Sequence, residues 1–176
     1  MNIRTRKVAT FIALGLVMGL GEFLGLGAEP LKTGAALPEI EVMNEEGEKF
    51  ALHESLASGW GLVYFYPKAD TPGCTAQACS LRDSFETLTD KGVTVYGVSC
   101  DKPADQKAFK DKYNLPFTLI ADINAKLCEA FGVPVRANAF AARQAFLFKD
   151  GKLVWVDTKA STKKQADDVL TFIDQS

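Results

Sequence analysis

The chain has 176 residues, of which 47% are hydrophobic and 24% charged, so it is long enough to bury one substantial core. A net charge of −2 without a basic cluster argues against a nucleic-acid partner. The single histidine, His53, excludes a metal site with several histidines, and the four cysteines form no C-x-x-C pair. We therefore expect neither a metal nor another cofactor.

The first 28 residues are predicted to be an export signal. Basic residues at positions 4, 6 and 7 precede thirteen uncharged residues (8–20), and small residues follow at positions 25, 27 and 28. The apolar run is short for a membrane span, and Glu22 with several nearby glycines weakens a spanning helix, so an uncleaved N-terminal anchor is the alternative. Residues 29–176 are then expected to form one domain that works in the periplasm or, if anchored, faces the periplasm or a lumen.

The region from residue 39 to residue 66 is predicted to be mainly β-structure. Residues 39–43 alternate between polar and apolar side chains, as in a half-buried strand. Residues 44–48 are typical of a turn, and residues 49–52 would form the returning strand. This pattern predicts an N-terminal β-hairpin. One helical turn is expected within residues 53–58. The apolar, aromatic run from Trp60 to Tyr66 predicts a buried strand.

The segment that follows this strand, from Pro67 to Cys79, is the most informative in the chain. A tight Thr-Pro-Gly turn comes directly before Cys74, and apolar residues at positions 78, 81, 85 and 88 predict one helix from Cys74 to Thr89. Cys74 is thus expected at a helix N-terminus. Unpaired backbone N–H groups and the helix dipole favour a thiolate there, which is the reactive form of cysteine.

Strands and helices alternate through the rest of the chain. Strands are predicted at 93–98 and 117–120, helices from Pro103, at 124–131 and at 162–173, and a hairpin at 144–156 around an Asp-Gly turn. Strands separated by helices imply parallel pairing, and the late hairpin adds antiparallel strands. This order predicts an α/β protein with a thioredoxin-like fold, in which helices flank a central mixed β-sheet.

The cysteine segment also carries a family resemblance. Pro67-x-x-x-Thr71-x-x-Cys74 resembles the active-site motif of the peroxiredoxins. Thr71-Pro72-Gly73-Cys74-Thr75, with Cys79 five positions later, resembles the peroxiredoxin Q (bacterioferritin comigratory protein) branch. The likeness runs from about Leu37 to the C-terminus, and it includes Arg143-x-x-Phe146. Gln77 and Ala145 depart from the branch, which commonly has an acidic residue and a threonine at these positions.

This resemblance implies a thiol peroxidase that reduces hydrogen peroxide and organic hydroperoxides to water and alcohols. Cys74 would attack the peroxide, and Cys79 would resolve the product as a Cys74–Cys79 disulfide that a thioredoxin-like dithiol donor reduces. Thr71 would offer its hydroxyl to thiolate and peroxide, Arg143 would supply a fixed cation, and Pro67 would shield the sulfur from water. A monomer is expected, with membrane contact only if the N-terminal segment stays uncleaved.

Helix geometry sets a condition on that disulfide. Residues i and i+5 of a helix have Cα atoms about 8.6 Å apart, whereas a disulfide requires less than about 7 Å. The first turns of the helix must therefore unwind before Cys79 can reach Cys74. Residues 75–78 include no large apolar side chain to oppose this unwinding.

The roles of Cys100 and Cys128 and one alternative function remain open. Cys100 and Cys128 are expected to be small buried apolar residues, although an oxidising compartment would also permit a disulfide between them. The alternative function is an exported thiol-disulfide exchange protein of thioredoxin fold without peroxidase activity. The lack of a C-x-x-C motif argues against that alternative.

Overall fold

We analysed a computed structural model of the chain, which describes residues 30–137 and 139–176. The predicted signal or anchor at residues 1–28 lies outside this part. Among the described residues, none of the helices combines the length and the apolar character needed to cross a membrane.

The described residues form nine strands and six helices. In chain order they are β1 (Glu41–Met43), β2 (Lys49–Ala51), α1 (Leu52–Ser55), β3 (Trp60–Phe65), α2 (Pro72–Asp83), α3 (Phe85–Asp90), β4 (Val93–Ser99), α4 (Pro103–Tyr113), β5 (Thr118–Ala121), α5 (Lys126–Phe131), β6 (Val135–Arg136), β7 (Phe140–Ala141), β8 (Gln144–Lys149), β9 (Lys152–Asp157) and α6 (Gln165–Asp174).

The central sheet has five strands in the order β5-β4-β3-β8-β9. Strand β3 lies in the middle, where it pairs parallel with β4 and antiparallel with β8. Strands β4 and β5 are parallel, and β8 and β9 form the late antiparallel hairpin. The predicted mixed sheet, its flanking helices and the N-terminal hairpin β1-β2 are confirmed.

Side chains of β3 alternate between two apolar layers, as a strand buried on both faces requires. Leu62 and Tyr64 belong to the layer beneath α2, α4 and α6, which also contains Cys74. Val63 and Phe65 belong to the opposite layer, which contains residues of α5 and of the β1-β2 hairpin. The C-terminal end of β3 therefore leads out from the centre of the core into the Pro67–Cys79 segment.

The single helix predicted from Cys74 to Thr89 is wrong, because the chain forms two helices that meet at Ser84. The first packs against α6 and the second against β4. Its predicted apolar stripe is nonetheless buried at Ala78, Leu81 and Leu88. Periodicity identified the buried face correctly, but the two separate packing partners require the break.

A short hairpin, β6-β7, was not predicted. Each strand has two residues, which is too short for a periodic pattern, and Val135 pairs with Ala141 across the turn. The backbone N–H of Ala142 donates to the carbonyl of Pro134 at 2.8 Å and closes the loop. This hairpin comes directly before Arg143 and fixes where the chain enters β8.

Candidate active site

The start of α2 forms the floor of the site. The backbone at Thr71 is extended (φ −101°, ψ 152°), Pro72 occupies the first helical position, and the Thr75 N–H donates to the Thr71 carbonyl at 2.8 Å. Proline suits this position because it has no N–H to leave unpaired. Cys74 thus lies in the first turn, as predicted, and its side chain is buried at 2% exposure.

Arg143 reaches this cysteine from the opposite side of the site. Its Nη2 donates to the Cys74 Sγ at 3.3 Å. The antiparallel pairing of β3 with β8 sets Gln144 opposite Phe65, so the residue before Gln144 lies beside the loop that leaves β3. Strand register therefore brings together two residues that are 69 positions apart in the chain.

Gln77 holds the other end of the guanidinium. Its Oε1 accepts a hydrogen bond from Nη1 of Arg143, and its Nε2 donates to Oε1 of Gln165 in α6. Both glutamine side chains are almost fully buried. Among the described residues no carboxylate forms an ion pair with Arg143. Its charge is therefore available to stabilise an anionic sulfur in a partly buried setting.

Gly73 provides the space for this contact. A Cβ atom at position 73 would lie 3.3 Å from Nη2 of Arg143 and 3.7 Å from the Thr162 methyl. The first of these distances is tighter than ordinary packing. The glycine that the sequence analysis placed in the turn thus allows the cation to approach the thiol.

Thr71 and Pro67 lie at the edge of the same site. The Thr71 hydroxyl donates to the Lys68 carbonyl at 3.1 Å, so in this structure its proton is directed to the loop rather than to the sulfur. Pro67 and Arg143 line an open cavity of about 400 Å³ together with residues of the β6-β7 hairpin. Phe140, 40% exposed, gives this cavity an apolar wall.

The loop before Cys74 is anchored to α4. Asp70 has the left-handed backbone (φ 55°), and its carboxylate accepts hydrogen bonds of 2.7 Å from Lys112 and from the Tyr113 hydroxyl. These hydrogen bonds hold the pKa of Asp70 below its usual range. The Ala69 N–H donates to Asp101 at 2.7 Å. Two residues of α4 and one residue of the loop between β4 and α4 therefore fix the approach to the cysteine.

The sequence of this chain matches the AhpC/TSA family over residues 33–156. The chain belongs to the AhpC/TSA family. The match covers most of the described residues, including the Cys74 turn and Arg143.

Individual curated relatives show to which branch of the AhpC/TSA family this chain is similar. Peroxiredoxin Bcp of Escherichia coli K12 is 39% identical over 151 residues, which cover 82% of this chain and 96% of that protein. The chloroplastic peroxiredoxin Q of Arabidopsis thaliana is 34% identical over 152 residues, 85% of this chain and 70% of that protein. The resemblance to the peroxiredoxin Q branch is therefore confirmed.

Solved structures give the same result. The Mycobacterium tuberculosis peroxidoxin BcpB superposes with a TM-score of 0.76 at 27% identity, over 82% of this chain and 97% of that one. The Xanthomonas campestris bacterioferritin comigratory protein, a structure described for its alkyl peroxide reduction activity, gives 0.74 at 28% identity over 82% and 96%. These structures confirm the thioredoxin-like peroxiredoxin fold.

Cys79 lies five residues beyond Cys74 in the intact helix of this AhpC/TSA protein, and both thiols are free. Its side chain is half-buried. The stretch between them contains no large apolar residue, but it is more firmly held than the sequence indicated. Ala78 is fully buried, and Gln77 bonds to both Arg143 and Gln165. Unwinding toward a Cys74–Cys79 bond would have to break those two hydrogen bonds.

Gln165 belongs to the site but was not predicted from the sequence. A polar residue at the start of the last helix carries no local signal of its contact with Gln77, which lies 88 positions earlier. Only its fully buried amide, visible once the fold is known, marks it as part of the site. The described residues also contain no cluster of three or more acidic, histidine or cysteine side chains able to hold a metal ion.

Proposed function

We propose that the chain is a thiol peroxidase in which Cys74 is the peroxidatic residue. The Cys74 thiolate attacks one oxygen of a hydroperoxide, the O–O bond breaks, and the other oxygen leaves as water or an alcohol after taking up a proton. The sulfur becomes a sulfenic acid. The observation that carries this proposal is the 3.3 Å hydrogen bond from Arg143 to the Cys74 sulfur at a helix N-terminus.

The neighbouring residues have distinct proposed roles. Arg143 stabilises the thiolate before the attack and the charge that grows on the departing oxygen during it. The Thr71 hydroxyl donates its hydrogen bond to the backbone carbonyl of Lys68, which leaves the lone pairs of its oxygen to accept the O–H of a peroxide. Pro67 lines the cavity beside Arg143 and limits the access of water to the sulfur.

Cys79 is the proposed resolving residue. After the first turns of α2 unwind, its thiol attacks the sulfenic sulfur of Cys74, a disulfide forms and water leaves. A thioredoxin-like dithiol then reduces the Cys74–Cys79 disulfide and is itself oxidised, which restores both thiols. The site would thus pass two electrons from the dithiol to each peroxide.

A paired activity measurement tests this proposal. Purified protein supplied with a thioredoxin system should consume hydrogen peroxide and an organic hydroperoxide, and a Cys74→Ser variant should lose this activity. The alternative, thiol-disulfide exchange without peroxidase activity, predicts reduction of insulin disulfides and no peroxide consumption. Family membership and the absence of C-x-x-C favour the first result.

We also propose that residues 29–176 are the mature domain, exported as a monomer to the periplasm. The support is the charged and apolar pattern of residues 1–28, which lie outside the described part of the chain. N-terminal sequencing of protein recovered from periplasmic and membrane fractions distinguishes cleavage from anchoring. Sedimentation of the purified domain measures its oligomeric state.

A further inference from the structure

Cys100 and Cys128 lie on the face of the sheet opposite to the proposed peroxidatic site. Cys128 belongs to the apolar layer around Phe65 and Phe131, and Cys100 packs against that layer. Cys74 belongs to the other layer. The central sheet therefore separates Cys100 and Cys128 from Cys74.

The backbone holds Cys100 and Cys128 close together. Cys100 directly follows β4, and the carbonyl of Ser99 accepts a hydrogen bond from the Asp122 N–H at 2.9 Å. The Asp122 carboxylate in turn accepts the backbone N–H groups of Leu127 at 3.0 Å and Cys128 at 2.8 Å. Asp122 thus joins the end of β4 to the first turn of α5. In this arrangement the two thiols are close enough for each to shift the pKa of the other.

The two thiols differ in their surroundings. Cys100 is partly exposed, whereas Cys128 is fully buried. The hydrogen bond from Cys128 lowers the pKa of Cys100, while the same contact and burial raise the pKa of Cys128. Cys100 is thus the cysteine that is accessible to solvent and ionises first. Cys128 stays a neutral thiol buried next to it.

We propose that Cys100 and Cys128 form a second, independent redox site that closes to a disulfide when the protein meets hydroperoxide. The Cys100 thiolate attacks one oxygen of the peroxide, the O–O bond breaks, and the other oxygen leaves as water or alcohol with a proton from solvent. The Cys128 sulfur then attacks the sulfenic sulfur, the S–O bond breaks, and a second molecule of water or hydroxide leaves. One peroxide is reduced and two thiols are oxidised.

This second site would close without the rearrangement that the Cys74–Cys79 pair requires. Both thiols lie in the same apolar layer, and Asp122 already holds their segments together, so an S–S bond of about 2.05 Å requires the sulfur atoms to approach without unwinding a helix. The disulfide would tie the end of β4 covalently to α5. Asp101, next to Cys100, also accepts the Ala69 N–H in the loop before Cys74, so the tie lies close to a support of the catalytic loop.

A full-length Cys74→Ser/Cys79→Ser variant tests the proposal, because it retains only the second pair. After treatment with hydrogen peroxide, both remaining thiols should be lost together, and peptide mapping without reduction should show a Cys100–Cys128 linkage that dithiothreitol reverses. Adding Cys128→Ala should instead leave a sulfenic acid at Cys100 that dimedone traps. Adding Cys100→Ala should leave Cys128 reduced.

Two results would overturn the second site. The first is a variant whose two thiols stay free at a peroxide dose that fully oxidises Cys74 in the native chain. The second is dimedone labelling of Cys100 that is equally strong with and without Cys128. Peroxidase turnover of the native chain, and of Cys100→Ala and Cys128→Ala alone, is measured in parallel. The variants that test the second site lack Cys74 and Cys79, whereas the peroxidase proposal is tested on the native chain. A negative result for the second site can therefore be told apart from a negative result for the peroxidase proposal.

Discussion

Arg143 forms hydrogen bonds with two residues of α2. Its Nη2 donates to Sγ of Cys74 at 3.3 Å, and its Nη1 donates to Oε1 of Gln77. Two hydrogen bonds from different nitrogens of the planar guanidinium fix its orientation as well as its position. Since Gln77 is neutral, the arginine charge is opposed by no carboxylate of the described residues. The cation is thereby held firmly and is directed at the sulfur.

Removing this cation is expected to abolish most of the activity. An Arg143→Gln variant loses the donor that stabilises the thiolate and the departing oxygen, so its kcat/KM for hydrogen peroxide should fall by about 100- to 1,000-fold. The matched control is Arg136→Gln, because Arg136 lines the same cavity without contacting Cys74. A steady-state peroxidase assay compares the two. Equal losses in both variants would contradict a specific role for Arg143.

Substitutions at Gln77 and Gln165 distinguish the role of the bond to Arg143 from the role of the bond between the two glutamines. Gln77→Ala removes two buried hydrogen bonds, and we expect the free energy of unfolding to fall by about 1–3 kcal/mol. Loss of its grip on Arg143 should also lower kcat/KM by roughly 10- to 100-fold. Gln165→Ala breaks only the hydrogen bond between the two glutamines, so its stability loss should be smaller than that of Gln77→Ala, and most activity should remain. Urea unfolding and peroxidase assays measure both, and a larger activity loss in Gln165→Ala would refute this division of roles.

Oxidation should open the beginning of α2. Because the Cys74–Cys79 bond cannot form within an intact helix, we expect backbone amides of residues 75–79 to exchange faster with deuterium in peroxide-treated protein than in reduced protein. A Cys79→Ser variant should keep its protection and accumulate sulfenic acid at Cys74. The Cys100→Ala variant serves as the control that retains the 74–79 linkage. Peptide mapping that finds Cys74 joined to Cys128 instead would exclude this path.

The anchor at Asp70 has a defined pH dependence. Lys112 and Tyr113 lower the pKa of Asp70, so the carboxylate's contribution to stability is present above the ordinary aspartate range and is lost as the pH falls through the lowered value. Asp70→Asn keeps a residue that tolerates φ 55° and removes only the charge. Its urea midpoint should lie slightly below that of the native chain at neutral pH and coincide with it in strong acid.

Lys112→Met completes a double-mutant cycle for that anchor. The exposed ion pair is the main contact that the two residues share, so the double variant should be no less stable than either single variant. Additive losses at neutral pH would show that the two side chains act separately.

Much of this molecule could be predicted from local sequence. The Thr-Pro-Gly turn before Cys74 fixed the helix start, because proline and glycine restrict the backbone in known ways. The alternation of apolar runs with helical stripes predicted the mixed sheet, and the Asp-Gly turn located the hairpin that carries Arg143. Each of these signals depends on neighbours along the chain.

The features that escaped prediction depend on contacts between distant segments. The break at Ser84 arises because α2 and α3 pack on different elements, which the shared apolar stripe does not reveal. The two-residue strands of β6-β7 have no period to detect. Gln77 meets Gln165, and Cys100 meets Cys128, only after the sheet has assembled. Sequence spacing alone cannot indicate which of several polar or thiol side chains will meet.

The hydrogen bond between Gln77 and Gln165 connects the arginine site to α6. Because Gln77 also accepts a hydrogen bond from Arg143, two neighbouring side-chain amides link that helix to the guanidinium. A shift of α6 along the surface of the sheet would therefore change the angle at which the cation faces the sulfur. Substitutions in a helix far along the chain from the cysteine turn can thus tune the site without altering any residue of the turn.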